Sequence, residues 1–238
     1  MTFQVNTSIL PNADGSAELV YTNNGTKVLC SVSGPIEPKP RQELPQQASL
    51  EIIVRPARGL STTREKLIED KLRSLLQNII IRYKYPRQLI LIVVQFLVVD
   101  EDPVYLTNEL SAAINCCFFA LVDADVALYW SFASVAVCIK GDGSGDGSGD
   151  GEQLIKSPTG KEIAQSDSFH VVCFGIENGK VEKLLLLESA GDFTELQLFD
   201  MLGQTVGDVE SLHQLQRKAI TKKVEDDYIW RGPIEQES

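Results

Sequence analysis

The feature that most constrains the fold is a long uncharged segment, TNELSAAINCCFFALVDA, at residues 107–124. It carries no charged side chain from Leu110 through Val122. A helix that is apolar nearly all round has no face for water, so the sequence predicts a helix buried inside a core. The N-terminus of such a helix attracts anions because its first backbone N–H groups have no partner within the helix. Here that start carries Glu109 instead, and no lysine or arginine is near it in sequence.

The length and composition of the chain predict a soluble globular protein with a sizeable core. The chain has 238 residues, of which 43% are hydrophobic, so no disulfide is needed for stability. The N-terminus lacks the basic and then apolar order of a signal peptide, and the apolar run 89–99 is too short to cross a bilayer as a helix. No C-x-x-C pair suggests zinc, and we expect buried, reduced thiols at Cys30, Cys116, Cys117, Cys138 and Cys173.

Charge is distributed unevenly along the chain. The net charge is −11, which by itself argues against nonspecific nucleic-acid binding. Residues 55–87, however, hold nine basic and three acidic side chains, so this segment is +6 and the remainder is −17. The segment is either a solvated helix face with ordinary ion pairs or a local surface for anions.

Turn and cap signals predict strands and helices in alternation. Asn24-Gly25 and Asn178-Gly179 each lie between two β-prone runs and predict hairpins, the second over 168–189. Thr62 with Glu65 forms a capping box that predicts a helix start. Further strands are predicted at 48–56, 88–99 (buried on both faces) and 132–140, and further helices at 107–124 and, in pieces, 193–224.

A repeat of glycine, serine and aspartate, GDGSGDGSGDG, occupies residues 141–151. Its aspartate spacing imitates the opening of a calcium-binding loop, but the twelfth position is Gln153 and a strand precedes the loop. We therefore interpret it as a flexible insertion, and a frayed tail is expected from about residue 225.

These elements predict an α/β (α+β) fold, a mixed sheet packed with helices in the order β-β-β-α-β-α-β-β-β-α, as one domain over 1–238. The segments DGSAELVYTNNGTKVLCSVSGPIEP and LSAAINCCFFALVDADVAL resemble RNase PH-like domains, and the likeness covers roughly residues 10–205. This family includes bacterial RNase PH, polynucleotide phosphorylase and the ring subunits of the eukaryotic RNA exosome. The resemblance implies that active relatives attack an RNA 3′ linkage with inorganic phosphate.

The phosphate-binding half of that site departs from the family pattern. The resemblance implies Gly-Thr-Arg at the start of the central helix, where the arginine and the helix N-terminus hold phosphate. The matching positions here are Asn108, Glu109 and Leu110. Glutamate repels phosphate and leucine cannot bind it, and the loss of one charged contact costs about 2–5 kcal/mol.

The acid and metal-binding half also departs from the pattern. The resemblance implies two aspartates six residues apart, and the matching positions are Glu162 and Ser168. A one-residue shift of the alignment would bring Asp167 into place. His170 lies where some relatives have a basic residue, although a lone histidine on a strand is more often structural.

The resemblance therefore implies a non-catalytic subunit of the exosome ring, without a cofactor or a metal site, that supports 3′-to-5′ RNA processing and rRNA maturation. Its implied partners are other RNase PH-like subunits in a six-membered ring, RNA-binding cap proteins, a separate hydrolytic exoribonuclease and RNA, but no membrane. The implied location is the nucleus and nucleolus, and also the cytoplasm, and the insertion suggests a fungal or divergent version. Candidates for phosphate contacts along the RNA path are Arg58, Arg64, Lys71 and Arg73.

Three other functions stay open. The chain could be an active phosphate-dependent 3′ exoribonuclease with a rearranged site that uses Glu162, Asp167 and His170. It could bind calcium through the aspartate repeat, or it could be an unrelated binding module.

Overall fold

A computed structural model describes residues 3–140 and 153–227. The strands in these residues are β1 (Phe3–Thr7), β2 (Gly15–Tyr21), β3 (Lys27–Ile36), β4 (Ser49–Arg55), β5 (Leu89–Val98), β6 (Ser131–Lys140), β7 (Gln153–Lys156), β8 (Ser168–Glu177) and β9 (Lys180–Gly191). The helices are α1 (Thr63–Ile79), α2 (Thr107–Asp123), α3 (Gly160–Gln165) and α4 (Glu195–Asp227).

The elements form four layers. One sheet has the order β1-β2-β3-β5-β4 and the other β7-β6-β8-β9, and within the first sheet β4 pairs with β5 in parallel. Helices α1 and α2 lie between the two sheets, and their apolar residues share one core with the inner faces of both. Helix α4 covers the opposite face of the second sheet, where Met201, Val209 and Leu212 complete a smaller core. The fold is therefore mixed α/β, as the sequence predicts.

Helix α2 is the centre of this arrangement, and its burial confirms the prediction made from its uncharged sequence. Every residue from Thr107 through Leu121 is buried. Asp123, near its C-terminal end, accepts hydrogen bonds from the backbone nitrogens of Ser8 and Ser16 at 3.1 and 2.8 Å and forms an ion pair with Lys223. This carboxylate therefore ties β1, β2 and α4 to the central helix.

The structure confirms the predicted turns, helix cap and buried thiols. Gly25, Asn178 and Gly179 have φ angles of +66°, +53° and +83°, the left-handed conformation that tight hairpin turns need. The capping box of Thr62 and Glu65 is formed at the start of α1. All five cysteines are buried and free.

Several predictions from the sequence need correction. The predicted order omits β1, β7 and α3, which are short elements with weak periodicity. Helix α4 is continuous over 33 residues, where pieces were expected. β5 is not buried on both faces: Ile92 and Val94 are buried but Leu91 and Val93 are half-exposed, because both helices pack on the same side of its sheet and no described element covers the other.

The aspartate repeat at 141–151 and most of the expected frayed tail lie outside the described residues. Helix α4 continues as far as Asp227, past the expected start of that tail. No helix in the described ranges is long and apolar enough to span a membrane.

Candidate functional site

The N-terminus of α2, where the sequence places Glu109, is occupied by a carboxylate of the same chain. Glu101, in the loop between β5 and α2, accepts the backbone N–H groups of Asn108 and Glu109 at 3.0 and 2.8 Å. Its side chain is buried, and burial raises the pKa of Glu101 although these two N–H groups lower it. An internal anion therefore fills the position that the family resemblance assigns to phosphate.

The acidic loop that carries Glu101 is fixed by hydrogen bonds to the segment that precedes β8. Asp100 accepts the backbone N–H of Gly160, at the start of α3, at 2.9 Å. The side-chain amide of Asn108 donates to the carbonyl of Pro158 at 2.8 Å. A Cβ atom on Gly160 would meet the Asp100 carbonyl oxygen at 2.3 Å, so this contact requires glycine. The loop is thus fixed over the helix start by contacts with the segment that precedes β8.

Glu109 itself forms an ion pair with Arg64 of α1. Their atoms Oε2 and Nη1 are 2.6 Å apart, and Nη2 of Arg64 donates to the Tyr105 carbonyl oxygen at 2.6 Å. The contact is an ion pair without hydrogen-bond geometry, since Oε2 of Glu109 and Nε of Arg64 have no hydrogen-bond partner among the described residues. Arg64, predicted as an RNA contact, is therefore directed inward at the degenerate site.

The charge balance of this cluster is acidic. Glu65 also lies near the guanidinium group, at 3.7 Å, so Glu65, Glu101 and Glu109 share one arginine. Burial raises the pKa of Glu109 to about 7, against the attraction of Arg64, and the two neighbouring glutamates add to the rise. An incoming phosphate would meet like charge in a site with little water, which is a strongly unfavourable combination.

Leu110, at the position that the resemblance assigns to the phosphate-binding arginine, belongs to the hydrophobic core. It is fully buried and packs in the cluster between the two sheets. The side chain therefore contributes to the stability of this core.

The other half of the family site is also engaged in structural contacts. Glu162 closes a capping box at the start of α3, where its carboxylate accepts the backbone N–H of Thr159 at 2.7 Å. This hydrogen bond lowers the pKa of Glu162. Ser168 is buried and its hydroxyl lies 3.0 Å from Nε2 of His170. At the two positions that the family resemblance assigns to aspartates, the structure therefore has one helix-capping carboxylate and one neutral hydroxyl.

His170 is a buried core residue. Its Nδ1 lies 2.8 Å from the Ser189 hydroxyl, and its ring stacks edge-on with Phe193 at 5.0 Å. Burial lowers the pKa of His170 to about 4, so the ring is neutral at physiological pH. Asp167, the remaining residue of the rearranged-site hypothesis, is exposed on the other side of the strand start. No group of three or more acidic, histidine or cysteine side chains within the described ranges could hold a metal ion.

The basic segment 55–87 is largely engaged in ion pairs. Five of its nine basic residues have an acidic partner: Arg64, Lys66, Lys71, Arg73 and Arg87. Lys71 pairs with Glu188 of β9 and its side chain is 14% exposed, whereas Arg73 lies 3.6 Å from Asp70 and is 44% exposed. Arg58 is exposed in the loop after β4. The role of these residues in RNA contact stays a prediction, and Arg58 and Arg73 are the two that face solvent.

Sequence reasoning missed Glu101. The available signal was the acidic run Asp100-Glu101-Asp102 a few residues before a helix that has no positively charged neighbour. Its role depends on the course of the loop, because Glu101 caps nitrogens seven and eight residues further along the chain.

Comparison with known proteins identifies relatives of this chain. Residues 2–127 match the RNase PH model, described as "3′ exoribonuclease family, domain 1". The chain is 48% identical over 205 residues to the "Exosome complex component RRP46" of Saccharomyces cerevisiae, with 85% of this chain and 87% of that protein covered. It is 30% identical over 194 residues to the "Exosome complex component rrp46" of Schizosaccharomyces pombe, with 82% and 78% covered.

The fold has a counterpart among solved structures. The crystal structure of rice (Oryza sativa) Rrp46 superposes with a TM-score of 0.76 at 24% identity, covering 92% of this chain and 94% of that one. This chain therefore belongs to the RNase PH family, as the matched family model and the relative from Saccharomyces cerevisiae show.

Proposed function

We propose that this chain is a non-catalytic structural subunit of an RNA exosome ring built from RNase PH-like subunits. It would support 3′-to-5′ RNA processing and degradation, including rRNA maturation, by shaping the path of RNA. The observation that carries this proposal is the Glu101 carboxylate on the backbone nitrogens of Asn108 and Glu109, with Arg64 neutralised by Glu109. The relatives named as exosome components support ring membership.

The chemistry at α2 favours this function over phosphorolysis. A phosphate nucleophile needs free N–H donors and a positive charge at the helix start. Here the two N–H groups are taken, the nearest arginine is paired, and a leucine lies in the core at the third position. The chain would then contribute surface and rigidity to the ring while the reaction occurs in another subunit.

The proposed partners extend beyond the ring. They are RNA-binding cap proteins, a separate hydrolytic exoribonuclease and RNA, and the proposed location is the nucleus and nucleolus, and also the cytoplasm. Fluorescent tagging of the full chain tests the location, and affinity capture with mass spectrometry tests the partners. Capture of other RNase PH-like chains in comparable amounts is the expected result, and recovery of the chain alone would contradict ring membership.

The test of catalysis uses the assembled ring and a 3′-labelled RNA with inorganic phosphate. We expect no release of nucleoside diphosphate that depends on this chain. A release that disappears in Asp167→Asn would instead support the rearranged-site alternative. Direct titration with inorganic phosphate is an independent check: wild type should not bind, and Glu101→Ala should acquire weak binding because it frees the two nitrogens.

A further inference from the structure

Helix α4 has an outer face that no described element covers. Its inner face packs on the second sheet, and its buried residues include five that recur every three or four positions: Met201, Thr205, Val209, Leu212 and Gln216. At 3.6 residues per turn, the opposite side of the helix carries Leu196, Phe199, Gly203 and Gly207, and all four are exposed. We call these four residues the outer stripe of α4.

The first half of the outer stripe is an apolar ridge. Leu196 is 77% exposed and Phe199 is 67% exposed. They are three positions apart, so their side chains are neighbours on the helix surface. An isolated exposed leucine is ordinary on a protein surface, but adjacent large apolar side chains gain free energy when a partner covers them. The ridge therefore has the composition of a contact surface.

The second half of the outer stripe has no side chains. Gly203 and Gly207 lie four positions apart in the interior of α4, where glycine is less favourable than any residue except proline. Neither has a positive φ angle, and a Cβ atom on either would meet no described atom within 4 Å outside its own helix turn. The packing of the described chain therefore does not require glycine at these positions. A pair of glycines instead lets the backbone of a second helix approach closely.

The charge around the outer stripe selects the kind of partner. Residues 192–216 contain five acidic side chains and no lysine or arginine. Glu195 and Asp200 are exposed and lie on either side of Leu196 around the helix. This surface repels RNA phosphates, an anionic membrane and a second copy of itself, and it attracts lysine and arginine side chains. The partner that fits it is therefore basic.

A helix fits this surface better than an extended strand does. The backbone groups of α4 are hydrogen-bonded within the helix, so a strand would find no main-chain donors or acceptors along it. We propose that the outer stripe of α4 docks a basic amphipathic helix of another protein, in which lysine or arginine side chains flank an apolar row. That row would cover Leu196 and Phe199 and continue over the two glycines. This inference uses α4 alone and does not depend on ring membership.

The test uses the full chain and a synthetic fluorescent peptide of about 18 residues, with leucines at i, i+3, i+4 and i+7 spacing and lysines elsewhere. Fluorescence anisotropy at about 0.15 M salt measures binding. The double variant Leu196→Ser with Phe199→Ser should weaken binding by about tenfold or more, although it keeps every charge. Gly203→Gln should weaken binding several-fold by filling the space above the helix, and it should raise the urea midpoint because glutamine forms helix better than glycine.

The controls separate docking from charge attraction. Leu215→Ser, at a 37% exposed leucine on another side of α4, should bind the peptide as wild type does. A peptide of the same composition whose leucines are scattered around the helix should bind at least about tenfold more weakly. Unchanged binding in the double variant or in Gly203→Gln would mean that charge alone attracts the peptide, and it would overturn the proposal. A wild type that does not bind the peptide would overturn it too.

Discussion

The carboxylate of Glu101 lies 2.8 Å from the backbone nitrogen of Glu109, so an acidic side chain caps a helix whose own first turn is acidic. This contact explains how a buried helix can start without a positive neighbour in sequence. The helix N-terminus binds an anion in this protein too, but the anion is part of the chain. The position that the family resemblance assigns to phosphate is thereby closed by a side chain of the same protein.

Removal of this internal cap should destabilise the protein. Glu101→Ala leaves two backbone N–H groups at the start of α2 without an acceptor, so we expect the free energy of unfolding to fall by about 1–2 kcal/mol. Urea denaturation measures the change. Glu37→Ala, at an exposed glutamate, is the control and should stay within about 0.5 kcal/mol of wild type. Equal stabilities for both variants would show that the cap contributes nothing.

Glu109 should make stability depend on pH in the direction opposite to most carboxylates. Its pKa in the folded state is about 7, above the ordinary 4.5, so the native state holds this proton more tightly. The contribution of the protonated Glu109 side chain to the free energy of unfolding is therefore full below about pH 4.5 and is lost as the pH rises through 7. Glu109→Gln, which removes the titrating group, should remove this slope and raise stability at pH 8 by up to about 3 kcal/mol.

A matched carboxylate gives the opposite sign for comparison. The pKa of Glu162 is lowered by the hydrogen bond from Thr159, so its contribution is present above its ordinary pKa and lost as the pH falls. Glu162→Gln should therefore reduce stability at pH 7, whereas Glu109→Gln should not. Urea midpoints measured from about pH 3 to pH 8 test both variants, and a Glu109→Gln curve parallel to wild type would contradict the assignment.

His170 should stay neutral well below the usual range of histidine. Burial lowers its pKa to about 4, so its neutral form supports the fold above about pH 6.5 and this support is lost as the pH falls towards 4. The chain has two histidines, and His213→Asn leaves one imidazole signal for NMR titration. A midpoint near 6.5 for that signal would mean that His170 is accessible to water and open to acid–base chemistry.

Asp123 should contribute to stability because its carboxylate joins three elements to the central helix. Asp123→Asn weakens the ion pair with Lys223 and disturbs acceptors for the backbone of Ser8 and Ser16, so we expect a loss of about 2 kcal/mol. A double-mutant cycle with Lys223→Met should give a coupling energy of about 1 kcal/mol. If the two substitutions change the free energy of unfolding additively, the ion pair between Asp123 and Lys223 does not contribute to stability.

The exposed basic residues should affect RNA without affecting assembly. In the assembled ring, Arg58→Glu with Arg73→Glu should weaken RNA retention several-fold, and the deficit should shrink at high salt because phosphate contacts are screened. Lys84→Glu, at an exposed residue in the same basic segment but beyond the end of α1, is the charge-matched control for each of the two single variants. Loss of ring assembly in the double variant would instead make the two arginines interface residues.

The sequence by itself determined the features whose cause is local. The left-handed residues of both hairpins, the capping box of α1 and the burial of α2 follow from neighbouring side chains and from periodicity, and each was predicted correctly. The departure at Glu109 and Leu110 from the pattern that the family resemblance implies was also readable, because it depends only on the residue types at those positions.

Only the tertiary structure decided which contacts these residues make. Arg64 and Glu109 are 45 positions apart, and their pairing depends on α1 and α2 packing side by side between the sheets. The partly exposed face of β5 likewise depends on which elements cover which sheet. Such relationships are set by the packing of segments that are distant in sequence. The residues of an apolar run do not indicate which other segments will pack against it.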